Sequence, residues 1–263
     1  MRGDKLVLKP EHRKAARKLV EFSLPMIKTS GSKFVLAVGG ESGSGKSELA
    51  LLVSRAFKRQ GVSSLVLQQD DYFVYPPHTN AKMRKAAIAR VGVSEVRLDL
   101  LDQHLALFRR GTRTIAKPLV VYQEDRITTE TVSLQGIRAV VVEGTYTTLL
   151  ENVNVRVFIE RPYYQTNADR LKRAREPQDE YLDQVLEIEH RIIAGHKESA
   201  DIIVGADYEV YVQKEIKPVS SSSKLRSGKA SQGGGWGTDQ EGCVRRCAKH
   251  SKTTNDHQRR EYA

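Results

Sequence analysis

The sequence has few cysteines and no long hydrophobic segment. Only Cys243 and Cys247 occur among 263 residues, and one pair near the C-terminus excludes a disulfide scaffold. No stretch approaches the roughly 18 consecutive apolar residues that a membrane span needs. Residues 1–5 lead into no apolar segment typical of a secretory signal. We therefore expect a cytoplasmic protein with no membrane partner.

The net charge of +11 is unevenly distributed. From residue 213 onward 11 Lys and Arg face 5 Asp and Glu, whereas the preceding residues carry 32 against 27. The same segment contains serine and glycine runs and almost no periodic apolar residues, a composition typical of disorder. We predict that residues 213–263 form a disordered, basic, solvated tail, and we do not expect it to bind nucleic acid.

Short apolar runs alternate with amphipathic stretches in the rest of the chain. Apolar runs typical of strands buried on both faces cover residues 34–38, 64–67, 139–142, 155–159 and 201–204. Helical periodicity covers residues 47–59, 96–110, 164–175 and 181–196. The alternation predicts an α/β fold, with three layers (α/β/α) built around a mostly parallel sheet.

A further amphipathic stretch lies near the N-terminus. Its apolar residues recur at three- or four-residue steps and are Ala15, Leu19, Phe22 and Met26. This spacing predicts a helix, which we expect Pro25 to interrupt near its end. We predict that residues 1–30 form an amphipathic helix packed on the core of a domain that spans residues 31–212.

The strongest motif is a phosphate-binding loop. It matches the pattern G-x-x-x-x-G-K-[ST], directly after an apolar run and before a helical stretch. Its residues are Gly40, Glu41, Ser42, Gly43, Ser44, Gly45, Lys46 and Ser47. Glycines let backbone N–H groups approach phosphate oxygens, and the helix N-terminus adds partial positive charge. In such a loop Lys46 reaches the β- and γ-phosphates and Ser47 ligates Mg²⁺, so the sequence predicts a nucleoside triphosphate ligand.

Other features narrow the class of nucleotide-binding protein. No Asn-Lys-x-Asp motif for guanine recognition occurs, which weighs against a GTPase. The apolar run that ends at Glu143 carries one carboxylate followed by glycine, whereas ring and motor ATPases more commonly place two adjacent carboxylates there. The run over residues 64–67 leads to Asp70 and Asp71, at the edge where ligands of doubly wound folds bind. These features favour a kinase.

Five segments resemble the uridine kinase and phosphoribulokinase family of small-molecule P-loop kinases, over residues 33–205. Besides the phosphate loop they are Gln69-Asp70-Asp71-Tyr72-Phe73, Val142-Glu143-Gly144, Arg170-Leu171-Lys172-Arg173 and Ser199-Ala200-Asp201-Ile202-Ile203. The resemblance implies a P-loop kinase fold with a short helical lid and Asp70 as the base. It also implies that Glu143 lies near the metal and the acceptor. Arg170 and Arg173 would close over the phosphates, and Arg175 would contact the nucleotide.

The acceptor region departs from the family pattern. Arg97 stands where uridine kinases have an aspartate that helps to hold the nucleoside, and the tyrosine of their Pro-x-Tyr-Asp-Phe segment is shifted by two places to Tyr122. Uridine is therefore not the expected acceptor. Because a guanidinium prefers a carboxylate or phosphate, Arg97 and Arg126 would suit an anionic acceptor. We assign Asp71, Tyr72, Tyr122 and these two arginines to the acceptor site.

We interpret the chain as an ATP-dependent kinase for a hydroxyl group of a small molecule. ATP and Mg²⁺ are the expected cofactors, with Ser47 and Glu143 at the metal. Successive residues at a strand end point to opposite faces, so only one of Asp70 and Asp71 can easily face the acceptor. The resemblance favours Asp70 as the base, but the choice stays open. Two other functions stay open: a nucleotide-binding regulator without catalysis, and a polynucleotide 5′-kinase that uses the basic tail. A homo-oligomer is also left open.

Overall fold

The structure is a computed structural model that describes residues 6–31, 33–173 and 179–214. Its strands are β1 (Phe34–Gly40), β2 (Ser64–Gln68), β3 (Thr114–Val121), β4 (Arg126–Ser133), β5 (Ala139–Glu143), β6 (Val155–Ile159), β7 (Ile202–Val204) and β8 (Val210–Val212). Its helices are α1 (Pro10–Ser30), α2 (Lys46–Arg59), α3 (Pro77–Ala86), α4 (Leu98–Arg109), α5 (Asn167–Arg173) and α6 (Glu180–Ile193). In this part of the chain no helix combines the length and apolar content of a membrane span. Residues 215–263, most of the predicted tail, lie outside the described residues.

Six of the described strands form one sheet, in the order β2-β5-β1-β6-β7-β8. All neighbours pair in parallel except β7 and β8, which are antiparallel. The predicted, mostly parallel sheet is therefore confirmed. Because β1 lies between β5 and β6, the phosphate loop that follows β1 starts from the middle of the sheet edge.

Both faces of the sheet are covered by helices. Leu36 and Val38 of β1 pack in one apolar cluster with α1 and α2, whereas Val35 and Ala37 pack in a second cluster with α4. Alternate residues of a strand point to opposite faces, so a strand between two helical layers has to be apolar at every position. The predicted three-layer arrangement is confirmed.

The interruption of α1 expected at Pro25 does not occur, and the helix continues to Ser30. Pro25 and Glu21, four residues earlier, are both exposed, so water can bond the carbonyl that proline leaves without an amide partner. One half-turn later Ile27 is fully buried in the cluster that α1 shares with α2. This burial holds the last turn of the helix in place.

Strands β3 and β4 form a separate antiparallel hairpin that no apolar run predicts. Its connection to the rest of the protein includes polar contacts, since Asp71 in the turn after β2 accepts hydrogen bonds from Lys117 Nζ at 2.8 Å and from Val120 N at 3.0 Å. Lys117 also pairs with Glu130 across the hairpin at 2.8 Å. Asp71 and Lys117 are both buried, so a buried ion pair joins the hairpin to the segment after β2.

We expect Lys117→Met to lower the free energy of unfolding by about 3 kcal/mol, because the buried Asp71 carboxylate loses the ammonium that it pairs with. Arg126→Ala is the matched control on the same hairpin. The pair that Arg126 makes with Glu124 is exposed, so its loss should cost less than about 1 kcal/mol. Urea unfolding followed by circular dichroism measures both, and equal losses would contradict a structural role for the buried pair.

Candidate active site

The predicted phosphate-binding residues connect β1 to α2. Gly43 and Gly45 have φ angles of 76° and 94°, in the left-handed region that favours glycine. A Cβ on Gly43 would lie 2.9 Å from Arg170 Cγ, and one on Gly45 would lie 2.5 Å from Tyr208 Oη. Backbone conformation and close neighbours therefore both require glycine at these two positions.

Side chains engage three carbonyl groups of this loop. The bonds run from Thr166 Oγ1 to Ser42 O (2.9 Å), from Tyr208 Oη to Ser44 O (2.8 Å) and from Lys46 Nζ to Glu41 O (2.8 Å). Carbonyl groups held by the protein in this way favour a turn whose N–H groups form a concavity for an anion. Helix α2 begins at Lys46, so its N-terminus adds partial positive charge at the same place. The loop therefore has a backbone shape and a partial charge that suit a phosphate group.

Two carboxylates lie at the carboxyl edge of the sheet. Glu143 ends β5, and Asp70 lies in the 3-10 turn after β2, whose Gln68 is in register with Glu143. The buried Glu143 accepts hydrogen bonds from Gln68 Nε2 at 3.2 Å and from the Ser47 hydroxyl. Burial raises the pKa of Glu143 to about 7, and the charge of Asp70 acts in the same direction, whereas Lys46 and the two hydrogen bonds oppose the rise. The carboxylate oxygens of Glu143 and Asp70 and the hydroxyl oxygen of Ser47 thus lie near one another at this edge, and the two carboxylates repel each other.

A cleft of about 280 Å³ joins the loop to this edge. The predicted site residues that line it are Ser42, Gly43, Lys46, Ser47, Asp70, Tyr122, Glu143 and Arg170. Aromatic and charged residues that also line it are Phe73, Tyr75, Arg84, Lys85, Asp179, Tyr181 and Glu189. The cleft thus brings together the phosphate loop, both carboxylates and the helices α3 and α6.

Of the three predicted lid arginines, one can be placed. Arg170 on α5 is buried, lines the cleft and donates from Nη1 to Tyr163 O and to Thr166 Oγ1. The side chain of Arg173 and the whole of Arg175 lie outside the described residues. Their contacts with phosphate stay predictions.

The acceptor assignments of Asp71 and Tyr72 are corrected by the structure, because neither residue lines the cleft. Asp71 lies in the buried pair with Lys117. Tyr72 is fully buried, and its Oη is 2.8 Å from His104 Nδ1. The segment after β2 is a 3-10 turn, so the alternation of a strand, on which the comparison of Asp70 with Asp71 depended, does not apply here.

The acceptor assignments of Arg97 and Arg126 are corrected as well. Arg97 is exposed at the start of α4, where its N–H donates to Tyr72 O at 2.8 Å. Arg126 has a side chain 60% exposed and pairs with Glu124 at 2.6 Å. Both arginines lie on the surface outside the cleft lining, and the basis for an anionic acceptor is removed with them.

Only some residues of the phosphate loop line the cleft. Gly40, Ser44 and Gly45 belong to its backbone but do not line the cleft. Glu41 contributes a carbonyl to the loop, whereas its carboxylate accepts a hydrogen bond from Tyr163 N at 2.7 Å. Glu41 thus belongs to the loop through its backbone, whereas its side chain contacts another part of the protein.

The sequence patterns missed the part of the cleft that α3 supplies. Helix α3 has little apolar character, although Pro77 at its first position is a helix-start signal. Asn80 and Arg84 of α3 donate to Glu95 Oε1 at 2.9 Å and 2.6 Å. Arg84 also pairs with Glu189 of α6 at 3.0 Å. The pair between Arg84 and Glu189 joins the two helices that line the cleft.

We expect Gly45→Ala to weaken the binding of ATP at least about tenfold, because the added Cβ would displace Tyr208 from the loop as well as strain the backbone. Gly61→Ala is the matched control, since its φ is +74° but nothing lies within 4 Å of the added atom. Isothermal titration with ATP measures the dissociation constant of each. Parent-like affinity in Gly45→Ala would show that the contact with Tyr208 does not shape the loop.

This chain is similar in sequence to one kinase-containing protein and in fold to several kinases of known structure. The chain is 26% identical over 196 residues to the bifunctional alpha-galactosidase/sucrose kinase AgaSK of Mediterraneibacter gnavus, a match that covers 69% of this chain but only 21% of that protein. It shares its fold with D-glycerate 3-kinase from Cryptococcus neoformans var. grubii (TM-score 0.52, 14% identity, 75% of this chain and 98% of that one). A structure described as a possible uridine kinase from Bacillus stearothermophilus is similar too (TM-score 0.51, 20% identity, 71% and 97%).

A family model gives the more specific result. The model of the phosphoribulokinase / uridine kinase family matches residues 35–204, more than half of the chain. The matched range includes the phosphate loop, both carboxylates of the sheet edge and the helices α3, α5 and α6. The resemblance seen in the sequence is confirmed, and the chain belongs to the phosphoribulokinase / uridine kinase family of kinases that phosphorylate hydroxyl-bearing small molecules.

Proposed function

We propose that this chain transfers the γ-phosphate of ATP to a hydroxyl group of a small, neutral acceptor. The observation that carries the proposal is that Lys46 of the phosphate loop and the carboxylate-bearing Asp70 line the same cleft, with Glu143 beside them. A triphosphate in the loop and a hydroxyl group at Asp70 would share one cavity. Family membership supports the kinase chemistry.

Each lining residue has a role that its chemistry suits. Asp70 would accept the proton of the attacking hydroxyl group as the new O–P bond forms. Lys46 and Arg170 would offset the negative charge on the transferred phosphoryl group. Positioning and charge stabilisation supply most of the rate enhancement in phosphoryl transfer, so cations and a base in one cleft suffice for this chemistry.

The same edge suits Mg²⁺, which prefers oxygen ligands. The Ser47 hydroxyl and the Glu143 carboxylate are hydrogen-bonded to each other, and Asp70 repels Glu143; a divalent cation would relieve that repulsion. We propose that Ser47 holds the ion directly and that Glu143 lies beside it. When bound, the ion would neutralise charge on the β- and γ-phosphates.

A neutral acceptor follows from the charges on the remaining part of the cleft. Its charged lining residues are Arg84, Lys85, Asp179 and Glu189, two cations and two carboxylates. Arg84 is already paired with Glu189, and Lys85 Nζ lies 5.5 Å from the centre of the Tyr181 ring. Because the two cations and two carboxylates balance, this part of the cleft should attract an anion only weakly. The anionic acceptor was inferred from Arg97 and Arg126, which lie outside the cleft lining.

Aromatic side chains suggest the shape of the acceptor. Phe73, Tyr75, Tyr122 and Tyr181 all line the cleft, and ligand sites of this composition combine apolar surface with a few polar groups that fix orientation. An acceptor with a ring, such as a sugar or a nucleoside, would contact both the apolar surface and the polar groups. The relative AgaSK is named a sucrose kinase, which supports a neutral sugar.

The test is ADP formation from ATP and Mg²⁺ with three groups of acceptors: neutral sugars, nucleosides, and anionic alcohols such as D-glycerate. We expect a neutral ring-bearing acceptor to support the highest kcat/KM. Higher turnover with D-glycerate would contradict the neutral acceptor. ATP binding without acceptor-dependent turnover would favour the regulator, and turnover with a 5′-hydroxyl oligonucleotide would favour the polynucleotide kinase.

We expect Asp70→Asn to lower kcat by about 10²–10⁴, because the amide cannot accept the hydroxyl proton. ATP affinity should stay near that of the parent, since the phosphate contacts come from the loop. Asp71→Asn is the matched control: it changes the neighbouring carboxylate, which lies outside the cleft, so it should reduce thermal stability while leaving kcat of the folded enzyme nearly unchanged. A larger loss of kcat in Asp71→Asn would overturn the assignment of the base.

A further inference from the structure

The carboxylate of Glu41 belongs to the phosphate loop, yet two other parts of the chain hold it. Oε2 accepts a hydrogen bond from Tyr163 N at 2.7 Å, and Oε1 lies 2.8 Å from Nδ1 of His190 on α6. Glu41 is only 6% exposed. A buried carboxylate is costly unless it is hydrogen-bonded, so these two partners fix where the loop can lie.

The segment that holds Glu41 also carries the lid arginine that faces the cleft. Tyr163 begins a short 3-10 turn before α5, and Thr166 at the end of that turn donates from Oγ1 to Ser42 O. Arg170 donates to Thr166 Oγ1 at 2.7 Å. Two consecutive loop residues, Glu41 and Ser42, are thus bonded to the segment that positions Arg170.

His190 extends this connection to the helix that lines the cleft. Residues of α6 in the cleft lining are Tyr181, Leu182, Val185, Leu186 and Glu189. The His190 ring packs edge-on against Tyr163 at 5.7 Å and Tyr164 at 6.2 Å between ring centres. The bond between His190 and Glu41 therefore sets the distance from α6 to the phosphate loop.

We propose that Glu41 and His190 are positioning residues for phosphoryl transfer. Their hydrogen bond fixes the phosphate loop and Arg170 relative to α6, and ATP binds tightly only when this bond is present. Neither side chain lines the cleft, so both act through the loop and through Arg170 and not by touching ATP. This inference rests on the proposed function in one respect, since it takes ATP as the ligand of the loop.

The experiment measures the dissociation constant of ATP with Mg²⁺ by isothermal titration, together with melting temperatures. We expect His190→Leu to weaken ATP binding about tenfold, because a hydrogen bond to a buried charged group is lost. His190→Asn should recover most of the affinity, since its amide nitrogen is attached to Cγ as Nδ1 is and can donate to the same carboxylate. Arg191→Leu is the matched control on the same helix, because its pair with Glu187 is exposed; it should bind ATP as the parent does.

A second variant keeps the proposal testable if His190→Leu does not fold. Glu41→Gln preserves the size of the side chain and removes the charge, and it should also weaken ATP binding. In the double variant the two losses should not add, as expected for residues that act through one bond. Parent-like ATP affinity in Glu41→Gln and in His190→Leu, or failure of His190→Asn to recover affinity, would overturn this inference alone. A parent protein that does not bind ATP would overturn the proposed function and this inference with it.

Discussion

Hydrogen bonds to the carbonyl groups of the phosphate loop are the interaction on which the rest of the site depends. Thr166 reaches Ser42 O from the segment before α5, and Tyr208 reaches Ser44 O from the segment before β8. A buried carbonyl without a partner is costly, so these distant segments have to close on the loop as the protein folds. The phosphate site therefore requires the sheet, α5 and the C-terminal part of the described chain together.

The two carboxylates at the edge of the sheet lower the stability of the folded protein. Glu143 is buried beside Asp70, and burial first and then that neighbouring charge raise its pKa to about 7. The folded protein binds this proton more tightly than the unfolded chain does, so the contribution of Glu143 to the free energy of unfolding falls as pH rises from its ordinary pKa of 4.5 towards 7. Around neutral pH the protein without ligand thus keeps two carboxylates close together at a cost in stability.

Local patterns predicted most of the fold but only part of the site. Strands such as β1 are apolar at every position, and the loop after β1 has a fixed spacing of glycines, so both could be read from the sequence. The hairpin of β3 and β4 could not, because no apolar run marks it. The position of Asp71 could not be predicted either, since its buried partner Lys117 is far away in the chain. Arg97 was assigned to the acceptor site because its residue type indicates affinity for anions, but only the packing of α4 shows that it is exposed.

The support of the phosphate loop extends beyond the range that matches the family model. His12 of α1 and Tyr208 both lie outside residues 35–204, yet their rings pack 4.4 Å apart behind Gly45. Tyr208 has a φ angle of 62°, a strained conformation for a tyrosine. Its hydrogen bond to Ser44 O and its packing against His12 hold it there. Because the contacts that require glycine at position 45 come from these two residues, α1 and the segment before β8 help to shape the loop and are more than additions to the range that matches the family.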